Sequence, residues 1–556
     1  MTSMARHDRR RDRSRLILSA PLALAGALAG CNEAAVSSSD GAAKPAAIEP
    51  TPSETATPEV PPPAPTAARP AIAMEARAMP APMPPPPSAD RFTDAEANPV
   101  KRAAEEPVST FSSDVDTASY AIARRFLREG TLPPEGAVRV EEMINYFPYD
   151  MPEAADRRQP FTTRVAVMPA PWNAAAQLMT VSVHAMDIDG AGRPPLNLVL
   201  LVDVSGSMAG ADRLDLVKAS FIDFVRDLRA EDRIAIVTYA GGVETVLPPT
   251  AGRERDKIVA AIRALGAGGS TAGAAGMDEA YALARRHYDK DGVNRIILAT
   301  DGDFNVGRSS PRELEQLVKE QRRNGIYLSV LGVGAGNLND RLMQAIAQAG
   351  NGNAAYIDTA LEGRKVLREE AASTLLPVAD DVKFQVEFNP ARVGEYRLIG
   401  YETRALRRED FNDDKVDAGD VGSGRTVTAI YEITPAGTPG HIDPLRYGTE
   451  AAPAPDRGGE IAFLRIRYKL PGEGSSRLIE RPVTDRDALA SLSAAGDDQR
   501  FQVAVAAFGQ KLAGSRHLSD MPWSAIADLG QGARGRDPDG YRAEFVQLVR
   551  TADGLD

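Results

Sequence analysis

The segment Val202-Asp203-Val204-Ser205-Gly206-Ser207-Met208 sets a carboxylate and two hydroxyls on alternate residues. A turn here can aim Asp203, Ser205 and Ser207 at one point. The hydroxyls are neutral oxygen donors, and Asp203 either binds directly or holds a coordinated water. Alone, this pattern is a weak signal, because Asp, Ser and Gly are common turn residues. Two further segments complete it. Gly268-Gly269-Ser270-Thr271 offers the Thr271 hydroxyl from a loop before a helix, and Thr300-Asp301-Gly302-Asp303 offers the Asp301 carboxylate at a strand end. Oxygen-only donors select a hard divalent cation, Mg²⁺, Ca²⁺ or Mn²⁺, over zinc. Mg²⁺ is the expected ion, since it keeps several waters and takes only one or two protein carboxylates. Mostly hydroxyl ligands leave its charge poorly neutralised, so an anionic ligand from outside is the expected complement. Asp303 lies close enough in sequence to support the ligands by hydrogen bonding, the alternative being a plain solvated turn.

These residues need strand ends to hold them. Apolar runs at 196–202, 234–239, 295–300 and 327–333 read as strands, with helical patterns at 213–229, 253–265, 274–286, 311–323 and 338–348. Continuously apolar strands separated by helices indicate a parallel sheet covered on both faces. Such doubly wound sheets bind ligands at the carboxyl ends of their strands, where Asp203 and Asp301 fall.

In order and placement, the three segments resemble the metal ion-dependent adhesion site of von Willebrand factor type A domains. The resemblance implies Asp203, Ser205, Ser207, Thr271 and Asp301 as the metal ligands, within a type A domain at 190–362. It also implies a protein partner that supplies a carboxylate to the metal. Outside that domain, Ser109-Thr110-Phe111-Ser112 through Tyr120, Leu132-Pro133-Pro134, and Glu141-Glu142-Met143-Ile144-Asn145-Tyr146-Phe147 resemble the N-terminal region of bacterial YfbK-like lipoproteins. Glu395-Tyr396-Arg397-Leu398-Ile399-Gly400-Tyr401 and the acidic stretch 410–419 resemble their C-terminal region. That family implies an envelope protein of poorly defined role.

The flanks read as two helices at 117–129 and 138–147 in an N-terminal helical region (108–160), and β stretches at 162–167 and 179–185 within 161–189. A β-rich domain follows at 378–475, with strands at 382–388, 396–401, 426–434 and 461–468, then a C-terminal helical region at 490–556. Asp114, Asp116 and Thr117 read as helix caps. The acidic run 410–420 lacks EF-hand spacing and reads as a solvated turn. Two isolated strands are marginal in water, so the leading pair needs partners. The expected architecture is α/β: a doubly wound, mostly parallel, von Willebrand A or Rossmann-like sheet inserted in or flanked by a β-sandwich, with small helical N- and C-terminal regions. Val165, Val167, Val181 and Val183 would point inward against Phe384, Val386, Val427 and Ile430. The alternative is a small leading hairpin on the edge of the α/β sheet.

The N-terminus carries an address. Arg6, Arg9, Arg10, Arg11, Arg13 and Arg15 precede an apolar stretch at 16–28, shorter than the roughly 20 residues a bilayer span needs. It ends in Leu28-Ala29-Gly30-Cys31, which resembles the lipobox of bacterial lipoproteins. The resemblance implies a signal peptide at 1–30, cleavage before Cys31, and lipidation of Cys31. Asn32 is not the aspartate associated with inner-membrane retention, so the outer membrane is expected in a host with two membranes. Residues 31–107 are rich in Pro and Ala and read as a disordered tether.

Composition narrows the function. Net charge is −12, and −16 without the local +4 of the first thirty residues, which argues against nucleic-acid binding. Cys31 is the only cysteine, and His7, His184, His287, His441 and His517 show no ligand or triad spacing. No Walker-type loop appears. A metal-dependent binding module is expected and not an enzyme. The alternatives are an envelope scaffold whose metal only stabilises the domain, and a metal-dependent hydrolase.

Overall fold

The computed structural model describes residues 89–93, 95–113, 115–154, 156–188, 192–270, 273–302, 310–443, 459–518 and 521–556. They lie in one compact unit, Pro84–Asp556. The signal peptide, Cys31, the tether as far as residue 88, Asp114, Thr271 and Asp303 lie outside the described residues.

In chain order the strands are β1 (Lys101–Arg102), β2 (Val108–Ser112), β3 (Phe161–Ala170), β4 (Asn173–Ala185), β5 (Leu196–Asp203), β6 (Arg233–Tyr239), β7 (Val243–Ala251) and β8 (Val293–Thr300). They continue as β9 (Ile326–Val333), β10 (Ala354–Ile357), β11 (Pro377–Phe388), β12 (Val393–Ile399), β13 (Val421–Gly422), β14 (Thr426–Pro435), β15 (Glu460–Lys469) and β16 (Ser476–Thr484). The helices are α1 (Ala118–Arg128), α2 (Val140–Asn145), α3 (Leu214–Val225), α4 (Arg255–Ala264), α5 (Gly273–Arg286) and α6 (Pro311–Arg323). After them come α7 (Asp340–Ala349), α8 (Ala360–Arg364), α9 (Ala371–Leu375), α10 (Asp497–Leu512), α11 (Trp523–Gly532) and α12 (Tyr541–Asp553).

One sheet runs β10-β9-β8-β5-β6-β7, parallel except for β7. Every residue of β5 and β8 is buried, as central strands covered on both faces require. Alternate residues serve the two faces. Val199, Leu201 and Val237 pack against Met277, Tyr281, Leu314 and Ile346, while Leu198, Leu200 and Ile236 pack against Phe221, Phe224, Ile258 and Ile262. The chain moves from β5 to β6 on one side and returns to β8 on the other. The crevice therefore opens at the carboxyl ends of β5 and β8.

The flanking strands form two sheets, β1-β12-β14-β4-β3 and β13-β11-β15-β16, the latter with β2 on β11. Leading and trailing strands pair directly: in β4 and β14, Val181 lies opposite Ala429 and Val183 opposite Val427. The α/β part is thus inserted into a sandwich built from both flanks. Val165, Val167, Val181, Val183, Phe384, Val386 and Val427 share its core with Phe111 and Tyr431. Ile430 does not. Side chains of a strand alternate, so 427, 429, 431 and 433 face the sandwich core and Ile430 faces the other way. There it meets one helical layer built from both ends of the chain, where Met143, Ile144 and Phe147 pack with Phe501, Phe508 and Phe545.

Three expectations need correction. Order begins before residue 108: β1 pairs with β12, Ala103 is fully buried, and Asp90 is tied into the fold by hydrogen bonds. Thr117, at the N-cap of α1, makes no side-chain cap. Asp116 instead accepts from Ala354 N–H (2.8 Å) and pairs with Arg404 (3.0 Å), and Glu142 accepts the N–H of Ser119 in the first turn (2.8 Å). Nor is the acidic run a plain solvated turn. Asp410 pairs with Arg407, Asp414 with Arg467, and Asp417 reaches Arg322 of α6.

Candidate metal centre

β5 ends on Asp203 and its parallel neighbour β8 on Thr300, with Val202 opposite Ala299, so Asp203 and Asp301 leave the sheet side by side. Asp203, Ser205 and Asp301 are buried and Ser207 is exposed. The Asp203 carboxylate accepts the Ser205 N–H at 2.9 Å and the Thr300 hydroxyl at 3.4 Å. Thr300 Oγ1 in turn accepts Gly302 N–H at 3.2 Å, which links the two strand ends. The hydroxyl oxygens of Ser205 and Ser207 lie 3.0 Å apart.

Backbone bonds hold the segments in register. Val204 N–H donates to Tyr239 O (3.0 Å), Gly268 N–H to Val204 O (2.7 Å), and Gly206 N–H to Gly269 O (3.0 Å). The loop that leads to Thr271 is therefore docked on the Asp-x-Ser-x-Ser turn. Met208, fully buried, pins the other end of that turn. Gly302 has φ +100°, and a Cβ there would lie 2.4 Å from Asn339 N, so only glycine fits beside Asp301.

Burial pushes the Asp203 carboxyl above the usual carboxylate range. Hydrogen bonds from Ser205 oppose the shift, the charge of Asp301 adds to it, and a hydrogen bond from Tyr239 lowers it again. Burial, followed by the charge of Asp203, likewise raises the Tyr239 hydroxyl well above its ordinary value. The donors are thus two neighbouring buried carboxylates and two hydroxyls, all oxygen, a set that fits a hard divalent cation. Among the described residues no three or more His, Cys, Asp or Glu side chains gather as a metal cluster.

Tyr239 and Arg213 escaped sequence reasoning. Tyr239 ends the strand beside β5, and the signal that could have found it is its place at a neighbouring strand terminus. Arg213 donates to Ser207 O at 3.1 Å and to Ala335 O at 2.8 Å, a bridge with no sequence signature.

Comparison with known proteins places these features. Residues 197–368 match the von Willebrand factor type A domain, 86–180 match von Willebrand factor, and 373–555 match "Uncharacterized protein YfbK, C-terminal". The uncharacterized protein YfbK of Escherichia coli is 48% identical over 477 residues, covering 84% of this chain and 82% of that one. Among solved structures, a von Willebrand factor type A protein from Catenulispora acidiphila aligns with TM-score 0.40 and 15% identity, over 70% of this chain and 89% of its own. Proximal thread matrix protein 1 from the mussel byssus, with a zinc-occupied MIDAS motif, aligns with TM-score 0.27 and 21% identity, over 32% of this chain and 45% of its own.

Proposed function

This chain belongs to the YfbK family of von Willebrand factor type A domain proteins, and on that premise we propose that it is a cell-envelope protein that binds a partner through a metal ion. The observation that carries the proposal is the pair of buried like charges, Asp203 and Asp301, beside the hydroxyls of Ser205 and Ser207. Two carboxylates at neighbouring strand ends repel, and a bound divalent cation would remove that cost. Asp203, Ser205, Ser207, Thr271 and Asp301 would hold it, with Mg²⁺ as the expected ion and Ca²⁺ or Mn²⁺ as alternatives. A bound cation would supply positive charge to attract the carboxylate of a partner protein. The chain's own residues supply the rest. Ser205 N–H and Thr300 orient Asp203, and Ser207 faces solvent where a partner arrives.

Affinity capture from the native envelope, with Mg²⁺ and with a chelator, tests this reading. The partner is expected to elute in chelator. A partner that stays bound while the melting temperature falls would make the metal a structural brace and the chain a scaffold.

The envelope placement rests on Cys31. We propose that Cys31 carries lipid and anchors the chain, on the outer membrane where the host has two. No described helix is long and apolar enough to cross a membrane. Stable anchoring takes two lipid signals, which a diacylated and N-acylated cysteine provides. Wild type should incorporate labelled palmitate and Cys31→Ser should not; an unlabelled wild type would end the lipoprotein reading.

A further inference from the structure

Residues 89–92 precede β1 in the chain. They lie along the loop between β9 and α7. Ala89 N–H donates to Gly336 O at 3.0 Å, Arg91 N–H to Leu338 O at 2.8 Å, and Arg341 N–H to Arg91 O at 3.4 Å. Asp90 accepts Leu338 N–H at 2.8 Å with one carboxylate oxygen and pairs with Arg125 of α1 at 2.6 Å with the other. Both charged side chains are buried. Phe92 packs edge-on against Phe126, ring centres 6.2 Å apart. The segment is thus fastened to α1 on one side and to the loop on the other.

The far side of the same loop touches the metal site twice. Asn337, Leu338 and Asn339 lie so close to Gly302 that a Cβ there would come within 2.4–2.8 Å of them. Arg213 joins Ala335 O to Ser207 O. The loop also contains Gly334 and Gly336, both at positive φ (76° and 87°). Glycines have the most backbone freedom to lose, so such a loop needs outside bonds to keep one shape.

We propose that residues 89–92 form a strap that sets the geometry of the metal site through the 334–339 loop, with Asp90 as its positioning residue. The proposal rests on the metal-centre reading above. Asp90 acts on the site through the loop. It fixes Leu338, whose neighbours fix Gly302, and Gly302 follows Asp301 in the chain. Groups that support metal ligands typically change affinity 10–100-fold when removed.

The test is Mn²⁺ titration of the full chain followed by electron paramagnetic resonance, with a thermal melt of each variant. Asp90→Ala is expected to weaken Mn²⁺ binding about tenfold, the lower end of that range, because it acts one step further out. Asp90→Asn keeps an oxygen for Leu338 N–H and should recover most of the affinity, which a purely charge-based role would not give. Ala89→Pro deletes one strap N–H without touching the ion pair and should weaken binding by a smaller factor. It decides the matter alone if Asp90→Ala does not fold. Asp203→Ala reports on the metal centre itself: if it binds Mn²⁺ as wild type does, or if wild type binds none, the metal-centre reading falls. If Asp203→Ala loses the ion while Asp90→Ala and Ala89→Pro bind as wild type, the strap falls and the metal centre stands.

Discussion

A buried carboxylate is costly unless something neutralises it. The main influences on Asp203 are its own burial and its neighbours Ser205, Asp301 and Tyr239. Asp301, just past the end of β8, adds its charge to the same arrangement, and on the proposed reading its carboxylate serves the site and not the core. Asp301→Ala is therefore expected to stay folded, with a melting temperature in chelator no lower than wild type. It should lose partner binding by at least the roughly 100-fold that removing a supporting group can cost. Parallel melts and captures in Mg²⁺ check both halves, and a variant that binds its partner like wild type would remove Asp301 from the site. That Asp203, Ser205, Ser207 and Asp301 come together was legible because separate segments, each weak alone, fall at the ends of strands that read as one sheet. Tyr239 was not, because it reaches Asp203 only through the pairing of β5 with β6.

Elements were legible where hydrophobic pattern and burial agree. β5 and β8 carry the apolar runs Leu198–Val202 and Ile296–Ala299 and read as central strands, and Pro311 with the Ser310–Glu313 capping box starts α6 where the pattern does. β7 was missed because Pro248 and Pro249 interrupt it. Proline is tolerated there only because β7 is an edge strand. β16 was missed for the opposite reason: it lies at a sheet edge with mostly polar, partly exposed residues, so it has little apolar alternation. Residues 89–107 lack enough apolar residues to signal a core. Their order comes from hydrogen bonds to distant segments, Asp90 to Leu338 and β1 to β12, which no local pattern records.

At the scale of the molecule, buried charges join parts far apart in sequence. Arg124 of α1 meets Asp358, Glu362 and Glu544, and Arg139 holds Glu142 and Asp340. The seam between sandwich and α/β domain carries an acidic group that is not neutralised in the same way. Burial and then the charge of Asp381 push the Asp380 carboxyl up to about 6, against the opposing pull of Lys469 and Arg322. A folded pKa above the unfolded value of about 3.9 means the folded state holds this proton more tightly. Stability should fall as pH rises from about 4 to about 6, and the penalty is complete above that. Asp380→Asn should therefore melt higher than wild type at pH 7.5, by on the order of 1–3 kcal/mol, with the gain vanishing toward pH 4. A gain that is equal at both pH values would contradict the assignment. Calorimetric titration of Mg²⁺ into the full chain and its Asp203→Ala variant measures whether the ends of β5 and β8 form a divalent-cation site. Saturable binding to wild type and none to the variant is the predicted result; equal binding to both, or no binding to wild type, would contradict it.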